Sequence, residues 1–385
     1  MTRKQFLKTC GILGVGLPFP QLIYGHAGKK GSNSNRIIII GAGAAGLTAG
    51  YLLKQQGIDF SILEASSEHG GRMKINTSFS DFPIALGAEW ISTDTMDFSP
   101  FLHGKDSAKK IKTVNYLPTD TYWLKSGDKL VQGTLHMFND KKFVKSSWFH
   151  VFEEHVVPYV KEHINYRTKV KAIDYSDEII HVECNTTSFK TKKVILTAPV
   201  PLLKQIDFSP DLPAQKRDAI DKVEYWNGFK AFFRFKEKFY PTFVDYVIQP
   251  ETSGQVSFYD AAWGQKSDKN ILGLFSAGIP ADMYGKLSPN EFGQHVLNEL
   301  DTLFEGKASQ NYIEHISQNW KAAPFAKGAY VSDFTEPKLI SKLQETVANK
   351  IYFAGDAYTN GRDWGHVHNS IQSAKACVND LTKEI

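Results

Sequence analysis

The chain has few cysteines and no apolar run long enough to cross a bilayer. Only three of its 385 residues are cysteines, and Cys10 lies close to the N-terminus, which leaves Cys184 and Cys377. Three cysteines cannot build a disulfide framework, and their spacing matches no metal-binding pattern. We therefore expect no metal site and no stable membrane insertion, and a single Cys184–Cys377 disulfide is the one pairing left open.

The chain also lacks an excess of charge of either sign. Its formal net charge of +4 comes from 45 basic and 41 acidic side chains. Three of the basic residues, Arg3, Lys4 and Lys8, lie in an N-terminal stretch that contains no acid, and without them 42 basic face 41 acidic side chains. A nearly neutral chain lacks the basic footprint that nucleic-acid binding requires, so we expect no nucleic-acid partner.

Residues 1–27 are organised like an export signal. A basic stretch, Thr2–Lys8, precedes a mostly apolar stretch, Gly11–Tyr24, which is too short to span a bilayer and is followed by small residues. The pattern resembles a twin-arginine signal in which Lys4 replaces the second arginine, and that route carries folded proteins. We expect a periplasmic or secreted protein, with residues 28–35 as a flexible linker.

The most informative stretch runs from Arg36 to Glu64. Arg36–Ile40 is an apolar run typical of a buried parallel strand, Leu47–Gln56 predicts a helix, and Ile58–Leu63 predicts a second strand. Between the first strand and the helix lies the glycine-rich turn Gly41–Gly46. This order of strand, turn, helix, strand and carboxylate predicts a dinucleotide-binding unit.

Each residue of this pattern has a chemical reason. Gly41 permits a tight turn, Gly43 lets a pyrophosphate approach the backbone, and Gly46 lets helix and strand pack closely, with Ala45 beside it in the turn. The helix N-terminus offers free N–H groups to phosphates. Glu64 can accept hydrogen bonds from both ribose hydroxyls, which argues against a 2′-phosphate. NAD and FAD both remain open on this evidence.

Two later motifs favour FAD. Ala65 follows Glu64, and two glycines, the second of which is Gly71, precede Arg72. The paired glycines permit another close approach of the cofactor to the backbone. Arg72 can bind a pyrophosphate through its guanidinium fork. A nicotinamide enzyme has no need of this element. The second motif is an apolar strand ending at Gly355-Asp356, where Asp356 could accept from a ribityl hydroxyl or act through water near the phosphates.

A further turn, Gly87-Ala88-Glu89-Trp90, could lie near the ring system of the cofactor. The alternative is an ordinary loop with Trp90 in the core. Taken together with the preceding motifs, this order resembles the FAD-dependent amine oxidase family, which contains monoamine oxidases, polyamine oxidases and flavin-dependent histone demethylases.

The resemblance implies an α/β fold, in which a Rossmann-type FAD-binding domain is interleaved with an α+β substrate domain on a mixed sheet. It further implies that backbone at Val170 contacts the adenine. The expected segments of the FAD-binding domain are 36–95, 166–205 and 319–385, and those of the substrate domain are 96–165 and 206–318.

The segment Gly228–Phe235 alternates as a strand does. Lys230, Phe232 and Arg234 fall on one side, and Phe229, Ala231, Phe233 and Phe235 fall on the other. A lysine on a strand is ordinarily a solvated side chain. This segment, however, resembles the family strand whose lysine holds a water against flavin N5, which implies that Lys230 assists the attack of dioxygen on the reduced flavin.

Two aromatic residues in the C-terminal part also match a family signature. The resemblance implies that Trp320 and Tyr330 lie beside the flavin, with Tyr330 as one wall of an aromatic cage that suits an amine nitrogen. Some relatives carry, at the position of Ala329, a cysteine that is bonded to FAD. Alanine cannot form that bond, so we expect noncovalent FAD.

The last predicted helix begins near Gly365-His366-Val367, and the free N–H groups at Val367 can meet flavin O2 and stabilise negative charge on the reduced ring. This chain departs from its relatives here, because Asn369-Ser370 replaces a small pair. The opposite cage wall aligns with His366, and Trp364 could supply the missing aromatic face. The alternatives are a solvated His366 and a Trp364 that only packs.

The resemblance implies an oxidase that converts a small-molecule amine to an imine by hydride transfer to flavin and reduces dioxygen to hydrogen peroxide. Two alternatives keep the fold. One is a desaturase or an amino-acid oxidase, for which Arg234 or Arg362 could bind a substrate carboxylate. The other is a flavin-binding protein without oxidase turnover.

Overall fold

The computed structural model describes residues 35–92, 111–116, 120–127, 129–133, 140–246 and 253–383. The predicted export signal, and all of the predicted linker except its last residue, lie outside these ranges. The described residues all belong to one structural unit, which begins at Ser34.

The secondary structure of the described residues contains both strands and helices. The strands are β1 (Ile37–Ile40), β2 (Phe60–Leu63), β3 (Ile75–Asn76), β4 (Ile84–Ala85), β5 (Trp90–Ile91), β6 (Thr113–Asn115), β7 (Tyr122–Ser126), β8 (Lys129–Gly133), β9 (Lys141–Phe143), β10 (Ile164–Asn165), β11 (Val170–Asp174), β12 (Ile180–Cys184), β13 (Ser188–Thr191), β14 (Val194–Leu196), β15 (Asp207–Ser209), β16 (Tyr225–Trp226), β17 (Gly228–Phe235), β18 (Phe243–Tyr246), β19 (Gly254–Asp260), β20 (Asn270–Gly278), β21 (Tyr312–Asn319), β22 (Tyr330–Val331) and β23 (Ile351–Phe353).

The helices are α1 (Ala44–Gln55), α2 (Trp148–His155), α3 (Val157–Val160), α4 (Val200–Leu203), α5 (Ala214–Lys222), α6 (Ile279–Tyr284), α7 (Pro289–Leu303), α8 (Lys307–Asn311), α9 (Pro337–Gln344) and α10 (Val367–Thr382). Two short 3₁₀ turns are formed by Gly71–Met73 and Lys161–His163.

A parallel sheet contains the first strand. Its order is β10-β2-β1-β14-β23, and all neighbouring pairs are parallel. Every residue of β1 is buried, as the apolar run predicts. Helices α1 and α10 cover one face together with α2 and α3, while α5, α9 and the small sheet containing β11 and β12 cover the other. The predicted α/β class is thus confirmed.

Helix α1 begins at Ala44, three residues before the predicted start. Glycines are poor helix formers, so the residues of the glycine-rich turn do not themselves predict a helix. In the structure, however, Gly46 lies inside the first turn of α1. The helix ends at Gln55, one residue before the predicted end. Gly57 adopts a positive φ of 71°, and Ile58 N–H donates to the carbonyl of Leu53 at 3.0 Å, as in a Schellman motif.

A seven-stranded mixed sheet forms the second layer, in the order β21-β17-β20-β19-β18-β7-β8. The pair β18–β7 is parallel and the others are antiparallel. Phe229 and Phe233 on β17 pack with Phe292 of α7 in one cluster, whereas Phe232 belongs to a different cluster with Tyr259. The predicted division of β17 into two faces is confirmed.

Two short pairings bring distant segments to the start of β17. Strand β16 pairs with β22, so that Trp226 lies opposite Tyr330, and Trp320 N–H donates to the carbonyl of Gly228 at 2.9 Å. Strand β5 pairs with β9, so that Trp90 lies opposite Lys142. The C-terminal signature therefore lies beside the start of β17, and the Gly87–Trp90 turn reaches the same strand through Glu89, which contacts Lys230.

The two sheets draw on alternating parts of the chain. The parallel sheet takes its strands from 37–63, 164–196 and 351–353, and the mixed sheet from 122–133, 228–278 and 312–319. The exact domain boundaries remain a prediction. Cys184 and Cys377 are buried and free, so they form no disulfide. Within the described ranges, no helix is both long and apolar enough to traverse a bilayer.

The glycine turn yields a test of packing. A Cβ on Gly46 would lie 1.9 Å from the carbonyl oxygen of Gly41, so we expect Gly46→Ala to lower the free energy of unfolding by about 2–3 kcal/mol. Gly43→Ala is the matched control, because its Cβ would meet nothing within 4 Å and should cost less than about 1 kcal/mol. Urea unfolding of both variants measures the difference, and equal losses would contradict it.

Candidate active site

A cavity of about 850 Å³ is lined by residues from both sheets and from the N-terminus of α10. Apart from Gly46 and the two arginines suggested for an amino-acid substrate, every site residue predicted from the sequence lines it. These residues are Gly41, Gly43, Ala45, Glu64, Ala65, Gly71, Arg72, Gly87, Ala88, Glu89, Trp90, Val170, Lys230, Trp320, Tyr330, Gly355, Asp356, Trp364, His366 and Val367. Gly46 lies behind the wall, where it allows α1 to pack against the turn.

The nucleotide end of the cavity is built on Glu64. One carboxylate oxygen accepts from the N–H of Ala42 at 2.7 Å, and the other accepts from the N–H of Ser66 at 2.8 Å. The carboxylate is therefore held beside the glycine turn at the carboxyl ends of β1 and β2. Val170 lines the same cavity at the first residue of β11.

Thr197 is a contributor to this end that sequence reasoning missed. Its hydroxyl donates to the carbonyl of Ile40 at 2.8 Å, and a Cβ on Gly41 would lie only 2.6 Å from that hydroxyl oxygen. Gly41 also has a φ of 104°, which disfavours other residues. The glycine at this position is thus required by the threonine packed against it.

Arg72 joins the middle of the cavity to the end of β23. Its guanidinium donates to both oxygens of Asp356, at 2.9 Å and 2.5 Å, and also to the carbonyl of Ala329 and the hydroxyl of Tyr225. Burial opposes the charge of Arg72, but Asp356 outweighs it, and the pKa of the guanidinium is raised above its usual value. The predicted contact of Arg72 with a pyrophosphate remains a prediction; here the guanidinium fork binds Asp356.

Lys230 lies at the other end of the cavity and is only 3% exposed. Its ammonium group donates to Glu89 at 2.6 Å and to the carbonyl of Ala85 at 3.3 Å, and it lies 4.7 Å from the centre of the Trp90 ring. The alternative of a solvated lysine is therefore wrong. The group that contacts the Lys230 ammonium directly is the carboxylate of Glu89. The sequence pattern places Glu89 in the turn near the cofactor but does not indicate that it pairs with Lys230.

Glu89 has further partners that the sequence did not reveal. Lys142 lies 3.5 Å from its second oxygen, and the hydroxyl of Tyr259 donates to the oxygen that Lys230 also contacts, at 2.5 Å. Burial favours the neutral form of Glu89, but Lys230 and Lys142 outweigh this and lower its pKa. Burial in turn lowers the pKa of both lysines.

Two aromatic residues form the wall between these ends. The Trp320 indole N–H donates to the carbonyl of Leu86 at 3.0 Å, which fixes the ring over Gly87. Tyr330 packs beside Gly365, and burial raises the pKa of its phenol, so the hydroxyl stays neutral. Both rings line the cavity, as the family signature implies.

The start of α10 gives a structural role to Asn369, the first residue of the unusual pair Asn369-Ser370. The Asn369 carboxamide oxygen accepts from the N–H of His366 at 3.0 Å, and its nitrogen donates to Asp363 at 2.9 Å, so Asn369 caps the helix. Burial, and then His368, lower the pKa of His366, so its imidazole is neutral near pH 7. Trp364 both lines the cavity and packs against the core beneath the parallel sheet.

The cavity fits FAD. It runs without a break from Glu64, which suits a ribose, to Lys230, Trp320 and Tyr330, which suit a flavin ring. The open space around Gly43 admits a pyrophosphate, and the first residues of α1 and α10 line the wall with their N–H groups. If a nicotinamide dinucleotide were bound instead, Asp356, which lines the cavity just after β23, would take no part in binding it.

Comparison with known proteins agrees with this geometry. The family described as "flavin containing amine oxidoreductase" matches residues 150–382, and an "NAD(P)-binding Rossmann-like domain" matches residues 39–102. The chain therefore belongs to the flavin-containing amine oxidoreductase family. It is an FAD-dependent oxidoreductase of the amine oxidase type.

Individual relatives are distant. The chain is 29% identical to lysine-specific histone demethylase 1 homolog 1 of Oryza sativa subsp. japonica over 54% of its own length, but it covers only 26% of that protein. It is 22% identical to an L-amino-acid oxidase of Daboia russelii over 92% of its length and 90% of the relative's. Putrescine oxidase bound to putrescine has the same fold, with a TM-score of 0.75, 14% identity, and coverage of 91% of this chain and 99% of that one.

The Arg72–Asp356 pair yields a test of the site's framework. Asp356→Asn removes the negative charge and leaves the Arg72 guanidinium uncompensated, so we expect the free energy of unfolding to fall by about 3 kcal/mol. Asp211→Asn is the matched control, because its pair with Arg217 is exposed and should cost at most about 1 kcal/mol. Thermal unfolding of the apoproteins checks this, and an equal effect of both substitutions would contradict it.

Proposed function

We propose that this protein binds FAD noncovalently and oxidises a small-molecule amine to an imine, with dioxygen reduced to hydrogen peroxide. Bound FAD would supply the hydride acceptor for the carbon beside the amine nitrogen and the two electrons that dioxygen takes up. The observation that carries the proposal is the buried Lys230 ammonium group, which lines the same cavity as Trp320 and Tyr330.

The residues of the chain have distinct tasks in this proposal. Trp320 and Tyr330 orient the amine and exclude water from the carbon that loses the hydride. The neutral imidazole of His366 and the ring of Trp364 would form the opposite side of the amine pocket. The Lys230 ammonium group supplies positive charge where dioxygen becomes reduced. Ala329 offers no sulfur to the cofactor, which supports noncovalent binding.

Two carboxylates, those of Asp140 and Asp333, line the cavity and would attract an ammonium substrate, although the cations Arg167 and Lys169 also line it. The two arginines suggested for a substrate carboxylate are placed elsewhere. Arg234 pairs with Glu314 at the opposite end of β17, and Arg362 does not occur among the described residues that line the cavity. The likeness to the Daboia russelii oxidase nevertheless keeps amino-acid oxidation as the second candidate.

The substrate class is tested with purified holoprotein and a panel of monoamines, diamines and amino acids, with peroxide as the readout. We expect peroxide from amines and none from amino acids. Peroxide from amino acids alone would establish the second candidate. Holoprotein whose flavin no compound bleaches would instead indicate a flavin-binding protein without turnover.

The role of Lys230 is tested with Lys230→Met. We expect amines to reduce the bound flavin at nearly the original rate, while its reoxidation by dioxygen slows about 100-fold, because the positive charge is lost. Lys236→Met, on an exposed lysine just after β17, is the matched control and should change neither rate. Stopped-flow absorbance separates the two half-reactions. Unchanged reoxidation in Lys230→Met would contradict the assignment.

We also propose that residues 1–27 direct export, by a route similar to the twin-arginine pathway. The support is the basic, apolar and small-residue order of this stretch. Fractionation of producing cells and N-terminal sequencing should find a periplasmic or secreted form that begins near residue 28. Arg3→Gln should retain the precursor in the cytoplasm, whereas Lys8→Gln, which removes the same charge outside the Arg3-Lys4 pair, should be exported. Equal export of both variants would contradict this route.

A further inference from the structure

Three charged side chains share one buried site at the end of the cavity. Lys230 and Lys142 are each 3% exposed, and Glu89 between them is 8% exposed. One oxygen of Glu89 accepts from Lys230 at 2.6 Å, and the other lies 3.5 Å from the Lys142 nitrogen. Two cations thus share a single carboxylate, and we call these three residues the Lys-Glu-Lys cluster.

The order of the three residues relative to the cavity is defined by the fold. Lys230 and Glu89 line the cavity, whereas Lys142 lies behind them on β9, where it also donates to the carbonyl of Ala261. The pairing of Trp90 with Lys142 places the lysine next to Glu89. The cluster is therefore layered, with Lys230 and Glu89 at the wall and Lys142 behind them.

Burial makes this arrangement costly unless every member is charged and paired. An isolated lysine in an apolar interior tends to lose its proton, because burial disfavours the charged form. A single Lys230–Glu89 pair would be neutral as a whole. With Lys142 as the second cation, the cluster carries one net positive charge and Glu89 remains ionised.

We propose that Glu89 is a positioning residue that holds Lys230 as an ammonium ion at the cavity wall, while Lys142 holds Glu89 as a carboxylate. The cluster then presents one net positive charge towards the cofactor ring. This inference rests on the proposed function, because it specifies how Lys230 keeps the charge that dioxygen reduction uses.

The other titratable groups around the cluster do not supply this charge. Burial and the proximity of Glu89 raise the pKa values of Tyr259 and Tyr116, so both phenols stay neutral. Asp260 lies near Lys142 but pairs with Lys238 at 2.6 Å. Arg234 follows Lys230 on the same face of β17, and its ion pair with Glu314 occupies it.

The first test needs no cofactor and uses Glu89→Gln, which removes the charge and keeps the shape. Without Glu89, the pKa values of the two buried lysines fall further below those of the unfolded chain. The loss of stability caused by the two buried lysine charges is greatest at pH values below the folded-state pKa values of the variant. It decreases as the pH rises towards the pKa of free lysine, about 10.5. The deficit in Tm against the original apoprotein should therefore shrink as the pH rises above neutral, over the range in which the lysines of the variant lose their protons while those of the original protein keep them.

Two further variants separate charge from packing. Glu89→Gln combined with Lys142→Met removes one anion and one cation, so it should recover part of the Tm lost in Glu89→Gln. Glu89→Asp keeps the charge and should retain the original pH dependence. If the single Glu89→Gln variant does not fold, the double variant is still expected to fold, and its failure would contradict the proposal. So would a Tm deficit that is constant with pH.

The second test measures reoxidation of the bound flavin by dioxygen after reduction with dithionite, which requires no amine. In Glu89→Gln the rate should fall about tenfold for each pH unit above the lowered pKa of Lys230, whereas the original protein keeps a flat profile to higher pH. Lys230→Met should be slow and flat. A flat profile in Glu89→Gln, identical to that of the original protein, would overturn the proposal. Because neither test uses an amine, both remain decisive even if the protein oxidises no amine.

Discussion

The ion pair between Arg72 and Asp356 is the interaction on which the rest of the site depends. It joins residues 284 positions apart, and the same guanidinium also binds the carbonyl of Ala329 and the hydroxyl of Tyr225. Four segments of the chain thus meet at one cation. The pair thereby joins the end of β23 in the parallel sheet to the backbone next to Tyr330 in the aromatic wall of the cavity.

Glycines let these segments approach closely enough for the pair to form. A Cβ on Gly87 would lie 1.8 Å from the carbonyl oxygen of Arg72, and one on Gly228 would lie 2.5 Å from the Cβ of Ala329. The turn before β5 and the start of β17 can therefore both lie against the wall. This close packing is also what removes water from Lys230 and makes a carboxylate partner necessary.

Local patterns were sufficient for much of the fold and for the outline of the site. The apolar run of β1, the glycine turn and the alternation of β17 each depend on neighbours in sequence, and the structure reproduces them. The roles of Lys142, Tyr259 and Thr197 could not be predicted in this way. A lysine in a short strand looks solvated from its own neighbours, and only the register that sets Lys142 opposite Trp90 shows otherwise.

The sequence by itself determined the nucleotide-binding unit, the family, and many of the residues that line the cavity, because these follow from spacing along the chain. The tertiary structure alone decided their pairings. Arg72 faces Asp356 and Lys230 faces Glu89 because the fold brings together segments that are far apart in sequence. Asn369 caps α10 because of the local geometry at the start of that helix. The physical reason is burial: a charge removed from water must find its partner within hydrogen-bonding distance, and only the packed fold specifies that distance.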